Sequence, residues 1–171
     1  YLDGRKVTLN HGDERFAEEL VQYEQQAGKA AAEQLRSELR DFLLHAPSHL
    51  IFGRNGLRHV VVTHAGIKDH FIGKQSARIS DYCRYGDTEG QDANGKPIRK
   101  DWFVEHESGE ILVWGHDPRP QPTLVNQTVN IDQGVVFGGL LTAYRYPEKE
   151  FVSVPAHENY ANDPDSPLVR W

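Results

Sequence analysis

The sequence contains one cysteine, no methionine and no long apolar run. Because Cys83 has no partner, an internal disulfide is excluded, and this cysteine usage is typical of the reducing cytoplasm. No stretch approaches the roughly 18 consecutive apolar residues that a membrane-spanning helix requires, and no secretory signal peptide is recognisable. These absences favour a cytoplasmic location without a membrane partner.

The missing methionine and the start of the chain predict a fragment. A complete reading frame begins with methionine, whereas this sequence begins at Tyr1. We therefore expect the 171 residues to be part of a longer protein or a processed product.

Charge and composition are those of a soluble globular domain. Charged residues make up 26% of the chain and hydrophobic residues 38%, and the length is sufficient for one domain with a core. The formal net charge of −6 is unfavourable for a protein that coats nucleic acid, although it leaves room for a local basic site.

The first part of the chain is predicted to be helical and the remainder to be rich in strands. Apolar residues recur at helical spacing over residues 13–26 and 30–45, with Gly28 as the break between two helices. The RNG turn in HLIFGRNGLRHVVVTH predicts a β-hairpin, and the PEKE turn predicts another. Residues 66–101 are interpreted as a long functional loop that could contain a short helix or turn. The predicted fold class is α/β (α+β), with mainly antiparallel strands.

Two histidines occupy matching positions. VVVTHAGI (residues 60–67) and ILVWGHDPRP (residues 111–120) each run from a strand into His64 or His116 and then into a tight turn. Strand ends commonly present side chains to a ligand crevice, and imidazole binds transition metals well. Both residues are therefore candidate metal ligands, with a hydrogen-bonded histidine at a loop as the alternative. The other histidines in polar or loop contexts are interpreted as surface residues: His45, His49, His59, His70, His106 and His157.

Asp132 lies in VNIDQG, again at the end of a strand. It could join the two histidines at a metal centre, or it could form an Asx-turn before Gly134. Two-metal hydrolytic sites also need a bridging carboxylate and further ligands. The sequence therefore predicts about half of such a site.

These segments resemble the calcineurin-like metallophosphoesterases. VVVTHAGI, WGHDP and NIDQG are similar to motifs of that superfamily, whereas YGDTEG and FGGLLTAYRYPEKEFVSVPA are similar to one branch, the central phosphatase domain of bacterial polynucleotide kinase-phosphatase. By this resemblance, residues 1–156 would form the C-terminal part of a metallophosphoesterase β-sandwich flanked by helices. Residues 157–171 would be the domain exit or a linker.

The resemblance implies roles for individual residues. His64 and His116 would bind the second of two divalent cations, most simply Mn²⁺. Asp132 would lie at the metal centre, as a ligand or in support of one, with a catalytic role. Arg78 matches a family arginine near the substrate phosphate. His11 is a family-like position that could contact a metal ligand or the substrate. A hydrogen bond at the N-terminus of the first helix is the simpler interpretation. The bridging aspartate and the leaving-group acid would lie in an N-terminal half that this chain lacks.

The function implied first is removal of 2′-, 3′- or 2′,3′-cyclic phosphate from RNA ends, with kinase and ligase domains as possible neighbours. One alternative is a protein phosphatase or dinucleoside polyphosphate hydrolase of the same fold. Another is a non-catalytic half-domain that acts as a binding or complementation partner. Because the early motifs are missing, we expect the fragment to be nearly inactive alone.

Departures from the family pattern affect the prediction of which phosphate substrate binds. Asp117 replaces the usual threonine after the motif histidine, and Gln133 replaces the threonine after Asp132. A carboxylate beside a phosphate site should weaken anion binding unless a metal or Arg119 neutralises it.

Overall fold

The computed structural model describes residues 1–9, 13–95 and 97–161, with the side chains of Arg54 and Arg58 left out of the description. His11 and most of the predicted linker lie outside the described residues. The chain divides into two compact units, one spanning Tyr1–Pro47 and the other beginning at Ser48.

The first unit contains two helices, α1 (Asp13–Ala27) and α2 (Lys29–His45). Gly28 separates them with a φ of 88°, a conformation that glycine adopts without steric penalty. Arg36 and Glu24 form an ion pair of 2.9 Å across the break. The two predicted helices and the break between them are therefore confirmed.

The second unit contains one α-helix, three short 3-10 helices and ten strands within the described residues. The α-helix and the strands are β1 (His49–Arg54), β2 (Leu57–Thr63), α3 (Ala77–Tyr85), β3 (Thr88–Gln91), β4 (Pro97–Arg99), β5 (Ile111–Trp114), β6 (Thr123–Val125), β7 (Thr128–Asn130), β8 (Asp132–Gln133), β9 (Leu140–Arg145) and β10 (Glu150–Pro155). The predicted mixture of helices and sheets, the α/β (α+β) class, is confirmed.

The main sheet has the order β1-β2-β5-β7-β6. β1 and β2 form the predicted hairpin, in which Asn55 and Gly56 have the positive φ values of the turn. The central pairs, β2 with β5 and β5 with β7, are parallel. The prediction of mainly antiparallel strands is therefore wrong for the centre of this sheet. All four residues of β5 are buried, as expected for a parallel strand covered on both faces.

The two faces of the main sheet carry separate apolar clusters. Val61 and Leu112 pack with Ile79 and Cys83 of α3 on one face. On the other face the buried residues are Val60, Ile111, Val113 and Val129, with Tyr144 of β9 packed against them. A second sheet has the order β10-β9-β8, and its β9–β10 hairpin includes the predicted PEKE turn.

The segment 66–101 contains the short helix that the sequence left open and, beyond that expectation, a small sheet. It contains α3, whose N-cap Ser76 accepts a hydrogen bond from the backbone N–H of Ile79, and the small β3–β4 sheet. Ile79 and Cys83 anchor the helix because they are one turn apart on its buried face. Among the residues that the structure describes, no helix is both long and apolar enough to cross a membrane.

Candidate metal centre

The parallel strands β2, β5 and β7 end at the same edge of the sheet. His64 directly follows β2, His116 follows β5 after one glycine, and Asp132 follows β7 after one residue. Ligand sites of open α/β sheets lie at such an edge because the polar side chains after neighbouring strands converge there. The topology therefore brings the three predicted residues together.

The loop that carries His64 is held from several sides. Thr63 Oγ1 donates a hydrogen bond to the carbonyl oxygen of Gly66 (3.0 Å), and Trp102 Nε1 donates one to the carbonyl oxygen of Ala65 (3.2 Å). A Cβ atom at Gly66 would lie 2.5 Å from the Trp102 ring, so only glycine fits there. Within this buried support the His64 side chain itself is exposed.

The loop after β5 brings His116 close to both partners. His116 has a φ of 66°, a strained conformation for a residue other than glycine and one that concentrates at functional sites. The N–H of Gly115 donates to the carbonyl oxygen of His64 (2.8 Å). A Cβ atom at Gly115 would lie 3.1 Å from Asp132 Cβ, so the glycine allows the aspartate to approach.

Asp132 uses one carboxylate oxygen locally. Its Oδ1 accepts a hydrogen bond from the N–H of Gly134 (3.0 Å), which is the Asx-turn considered from the sequence. Its N–H donates to Asn130 Oδ1 (2.9 Å). The turn fixes the position of the carboxylate and leaves Oδ2 outside this hydrogen bond.

The three residues line one shallow cavity of about 260 Å³. His64 Nε2 and His116 Nδ1 form a hydrogen bond of 3.0 Å, which is the alternative considered from the sequence, and the ring centroids are 4.6 Å apart. Two nitrogens that bind one cation at about 2.1 Å, at a right angle to one another, are about 3 Å apart. The imidazole pair therefore has the spacing and chemistry of two ligands of a divalent cation.

The ligand set is incomplete within the described residues. No group of three or more histidine, cysteine, aspartate or glutamate side chains among them has the arrangement of a metal site. His64 and His116 fit a cation as a pair, whereas the role of Asp132, as a ligand or as support for one, stays a prediction.

Electrostatics keep His116 in the form that binds metal. Burial, together with the positive charges of Arg99 and His64, lowers the pKa of His116, and Asp132 and Asp117 oppose this effect. A lowered pKa favours the neutral imidazole at pH 7, whose lone pair is available to a cation.

Arg78 lies on α3, where its residue is exposed, and it does not line the cavity. Its role at the substrate phosphate stays a prediction. The arginines near His116 are instead Arg99, at the end of β4, and Arg119. Sequence reasoning missed Arg99 because its position depends on the β3–β4 sheet, which the sequence did not reveal.

Asp117 is paired rather than isolated. Arg119 donates to its Oδ2 from Nε (3.1 Å) and from Nη2 (2.6 Å). Its backbone oxygen accepts a hydrogen bond from Asn130 Nδ2 (3.0 Å). The neutralisation of Asp117 by Arg119, considered from the sequence, is therefore present.

Two histidines assigned to the surface are buried. His49 accepts a hydrogen bond at Nε2 from the N–H of Gly73 (2.9 Å). His106 bonds Asp69 through Nδ1 and the carbonyl oxygen of Glu110 through Nε2. The prediction was wrong for both because their partners are distant in sequence, which local polarity does not show.

Sequence comparison relates the chain to curated bacterial hydrolases. The asymmetrical bis(5′-nucleosyl)-tetraphosphatase PrpE of Bacillus subtilis is 40% identical over 161 residues, covering 94% of this chain and 63% of that protein. The proteins of the same name from Oceanobacillus iheyensis and Anoxybacillus flavithermus are both 37% identical. They are matched over 94% and 96% of this chain, and over 62% and 65% of their own lengths. The chain thus spans less than two thirds of these relatives.

Other comparisons add less. No family model matches the chain. One solved structure, named provisionally as a diadenosine tetraphosphatase, covers 83% of this chain and 66% of its own length at 17% identity and a TM-score of 0.49. Likeness at this level does not establish a common fold.

Proposed function

We propose that the chain is part of a metal-dependent hydrolase of the metallophosphoesterase type, which cleaves dinucleoside polyphosphates asymmetrically. The observation that carries this proposal is identity of 37–40% to the tetraphosphatases along almost the whole chain. The convergence of His64, His116 and Asp132 at the carboxyl ends of parallel strands supports the metal dependence. The RNA-repair function expected first is not supported by these relatives, which favour the alternative instead.

The residues of this chain would hold the cation and shape its surroundings. His64 and His116 would each donate a neutral ring nitrogen, and Gly115 and Gly66 would let their loops approach. A bound divalent cation, Mn²⁺ by the resemblance, would activate water and neutralise phosphoryl charge. Asymmetrical hydrolysis of a four-phosphate bridge adds one water and releases a nucleoside triphosphate and a nucleoside monophosphate.

Residues outside this chain would complete the centre. The described residues would provide two ligands, His64 and His116, whereas two-metal hydrolytic sites use many more. We therefore propose that the chain acts together with a segment that supplies the bridging carboxylate and the leaving-group acid, as the resemblance implies.

A chimera tests this function. The aligned part of the Bacillus subtilis relative would be replaced by this chain, and hydrolysis of diadenosine tetraphosphate with Mn²⁺ would be followed by chromatography. We expect ATP and AMP as products, with the chimera active, its His116→Ala variant reduced by about 100-fold or more, and the isolated 171-residue chain nearly inactive.

The same assay separates the alternatives. A 3′-phosphorylated oligoribonucleotide and a phosphopeptide serve as competing substrates. Preference for the oligoribonucleotide would restore the RNA-repair hypothesis, and preference for the phosphopeptide would favour a protein phosphatase. A correctly folded chimera that hydrolyses none of the three would support the non-catalytic half-domain.

A further inference from the structure

The carboxylate of Asp117 lies between two guanidinium groups. Arg119 contacts Oδ2 through both Nε and Nη2, and Arg99 Nε lies 4.0 Å from Oδ1. The three side chains are partly exposed, at 35% for Arg119, 37% for Arg99 and 24% for Asp117. Solvent or a ligand can therefore reach this cluster.

Other contacts hold each arginine in place. Arg99 Nη1 donates to the carbonyl oxygen of Tyr85 (3.1 Å). Arg119 Nη2 lies 3.3 Å from Asp101 Oδ1, and its guanidinium carbon lies 5.9 Å from the centre of the Phe103 ring. Loss of the contact with Asp117 would leave both arginines anchored beside the same point.

This cluster adjoins the candidate metal centre. Asp117 directly follows His116, and the charge of Arg99 reaches His116 strongly enough to help lower its pKa. A cavity of about 10 Å³, the size of one water, is lined by Arg99, Asp117, Asp87 and Trp114, and Trp114 also lines the cavity of the two histidines. Among the described residues, the buried Nε1 of Trp114 has no hydrogen-bond acceptor.

We propose that Arg99 and Arg119 form an anion subsite beside the metal centre, which binds the phosphates of the substrate that are not cleaved, and that Asp117 occupies this subsite until a phosphate displaces it. Two guanidinium groups around one oxyanion are a common arrangement for phosphate recognition, since each can donate paired hydrogen bonds. The identity of the ligand as a polyphosphate chain rests on the proposed function, whereas the subsite rests on the contacts above. Asp117 then competes with substrate rather than only stabilising a loop.

Calorimetric titration of the metal-free 171-residue chain with inorganic tripolyphosphate tests the subsite. We expect tripolyphosphate to bind more tightly than orthophosphate, because it can contact both arginines. Arg99→Gln and Arg119→Gln should each weaken tripolyphosphate binding by about tenfold. Asp117→Asn should strengthen it by roughly fivefold, because a competing charge is removed without a change in shape.

Arg145→Gln is the matched control. Arg145 is also a partly exposed arginine paired with two carboxylates, Glu148 and Glu150, but it lies at the end of β9 remote from Asp132. Its replacement should leave the affinity unchanged. The double variant Arg119→Gln with Asp117→Asn retains the net charge of the pair, and its amide NMR spectrum separates loss of binding from loss of fold.

The proposal is overturned if Arg99→Gln and Arg119→Gln bind tripolyphosphate like Arg145→Gln, or if Asp117→Asn weakens binding in a folded protein. Failure of the subsite is distinguishable from failure of the function. A chimera that hydrolyses diadenosine tetraphosphate with an unchanged KM after Arg99→Gln would retain the function and exclude the subsite. Tripolyphosphate binding with the expected variant pattern, in an inactive chimera, would retain the subsite and exclude the function.

Discussion

Individual histidines differ in which ring nitrogens are engaged. His49 and His106 each use both ring nitrogens in hydrogen bonds to other parts of the protein. By contrast, His64 Nε2 and His116 Nδ1 form a hydrogen bond with each other. Ring nitrogens that meet only each other can exchange that contact for a cation, so the hydrogen-bond pattern separates candidate ligands from structural histidines better than sequence context does.

This difference predicts atom-specific metal binding. Addition of Zn²⁺, a diamagnetic substitute that imidazole binds well, should shift the ¹⁵N resonances of His64 Nε2 and His116 Nδ1 in side-chain NMR spectra. His116→Ala should lower the apparent Zn²⁺ affinity, measured from the His64 resonance, by about tenfold. His70→Ala is the control, since His70 is exposed and does not line the cavity. Shifts confined to other histidines would contradict the assignment.

Gly66 is the residue that fixes the His64 loop against Trp102. A Cβ atom there would lie 2.5 Å from a tryptophan that is itself 7% exposed and packed in the core. We expect Gly66→Ala to lower the free energy of unfolding by about 2 kcal/mol through overpacking, measured by urea denaturation. Gly109→Ala is the matched control because a Cβ atom at Gly109 meets nothing within 4 Å. Equal effects of the two substitutions would mean that Trp102 can move aside.

At the scale of elements, the sequence predicts strands better than their partners. The apolar runs of β2 and β5 and the turns at RNG and PEKE are local signals, and the corresponding strands and hairpins are present. The parallel pairing of β2, β5 and β7 joins residues separated by long connections, which no local pattern specifies. The meeting of His64 with His116 follows from that pairing, so the sequence predicted the residues without their geometry.

The segment between β2 and β5 contains elements that the sequence pattern does not reveal. Its helix α3 buries only Ile79 and Cys83, a signal too short for periodicity to detect. The exposed β3–β4 sheet has no apolar alternation either, because all its residues face solvent. Arg99 was therefore missed as a neighbour of His116.

Asp69 links the two ends of the long segment between β2 and β5. Its carboxylate accepts hydrogen bonds from His106 Nδ1 and from the backbone N–H groups of Glu107 (2.9 Å) and Ser108 (2.8 Å). Asp69→Asn replaces one acceptor oxygen by a donor, so we expect a loss of about 2 kcal/mol in the free energy of unfolding. Urea denaturation measures it.

The control for Asp69 is another acid-to-amide change. Glu89→Gln removes an exposed ion pair with Lys100. Its effect on the free energy of unfolding should be close to zero because solvent screens such pairs. A cost for Asp69→Asn as small as that of Glu89→Gln would show that the carboxylate does not link the two ends of the segment between β2 and β5.

For the whole molecule, the apolar core and the candidate site consist of different groups. The buried clusters on both faces of the main sheet consist of apolar side chains. The edge where β2, β5 and β7 end instead collects two histidines, an aspartate and, beside them, two arginines. Relatives extend beyond the matched region, with 62% of their length covered in one case. If residues from such an additional region complete the centre, metal binding would be coupled to the association of that region with this chain.

The whole chain should also lose stability as the pH falls through the histidine range. Burial lowers the pKa of His49, whose Nε2 accepts the N–H of Gly73 and so must be unprotonated. The unfolded chain takes up this proton near pH 6.5, whereas the folded chain resists it, so the unfolded state binds more protons below that pH and the free energy of unfolding falls. Urea denaturation between about pH 7.5 and about pH 5.5 measures the slope. His49→Gln should reduce the dependence of the free energy of unfolding on pH, and His116 accounts for the part that remains. The control His70→Gln should leave this dependence unchanged. A free energy of unfolding that rises on acidification would contradict the assignment.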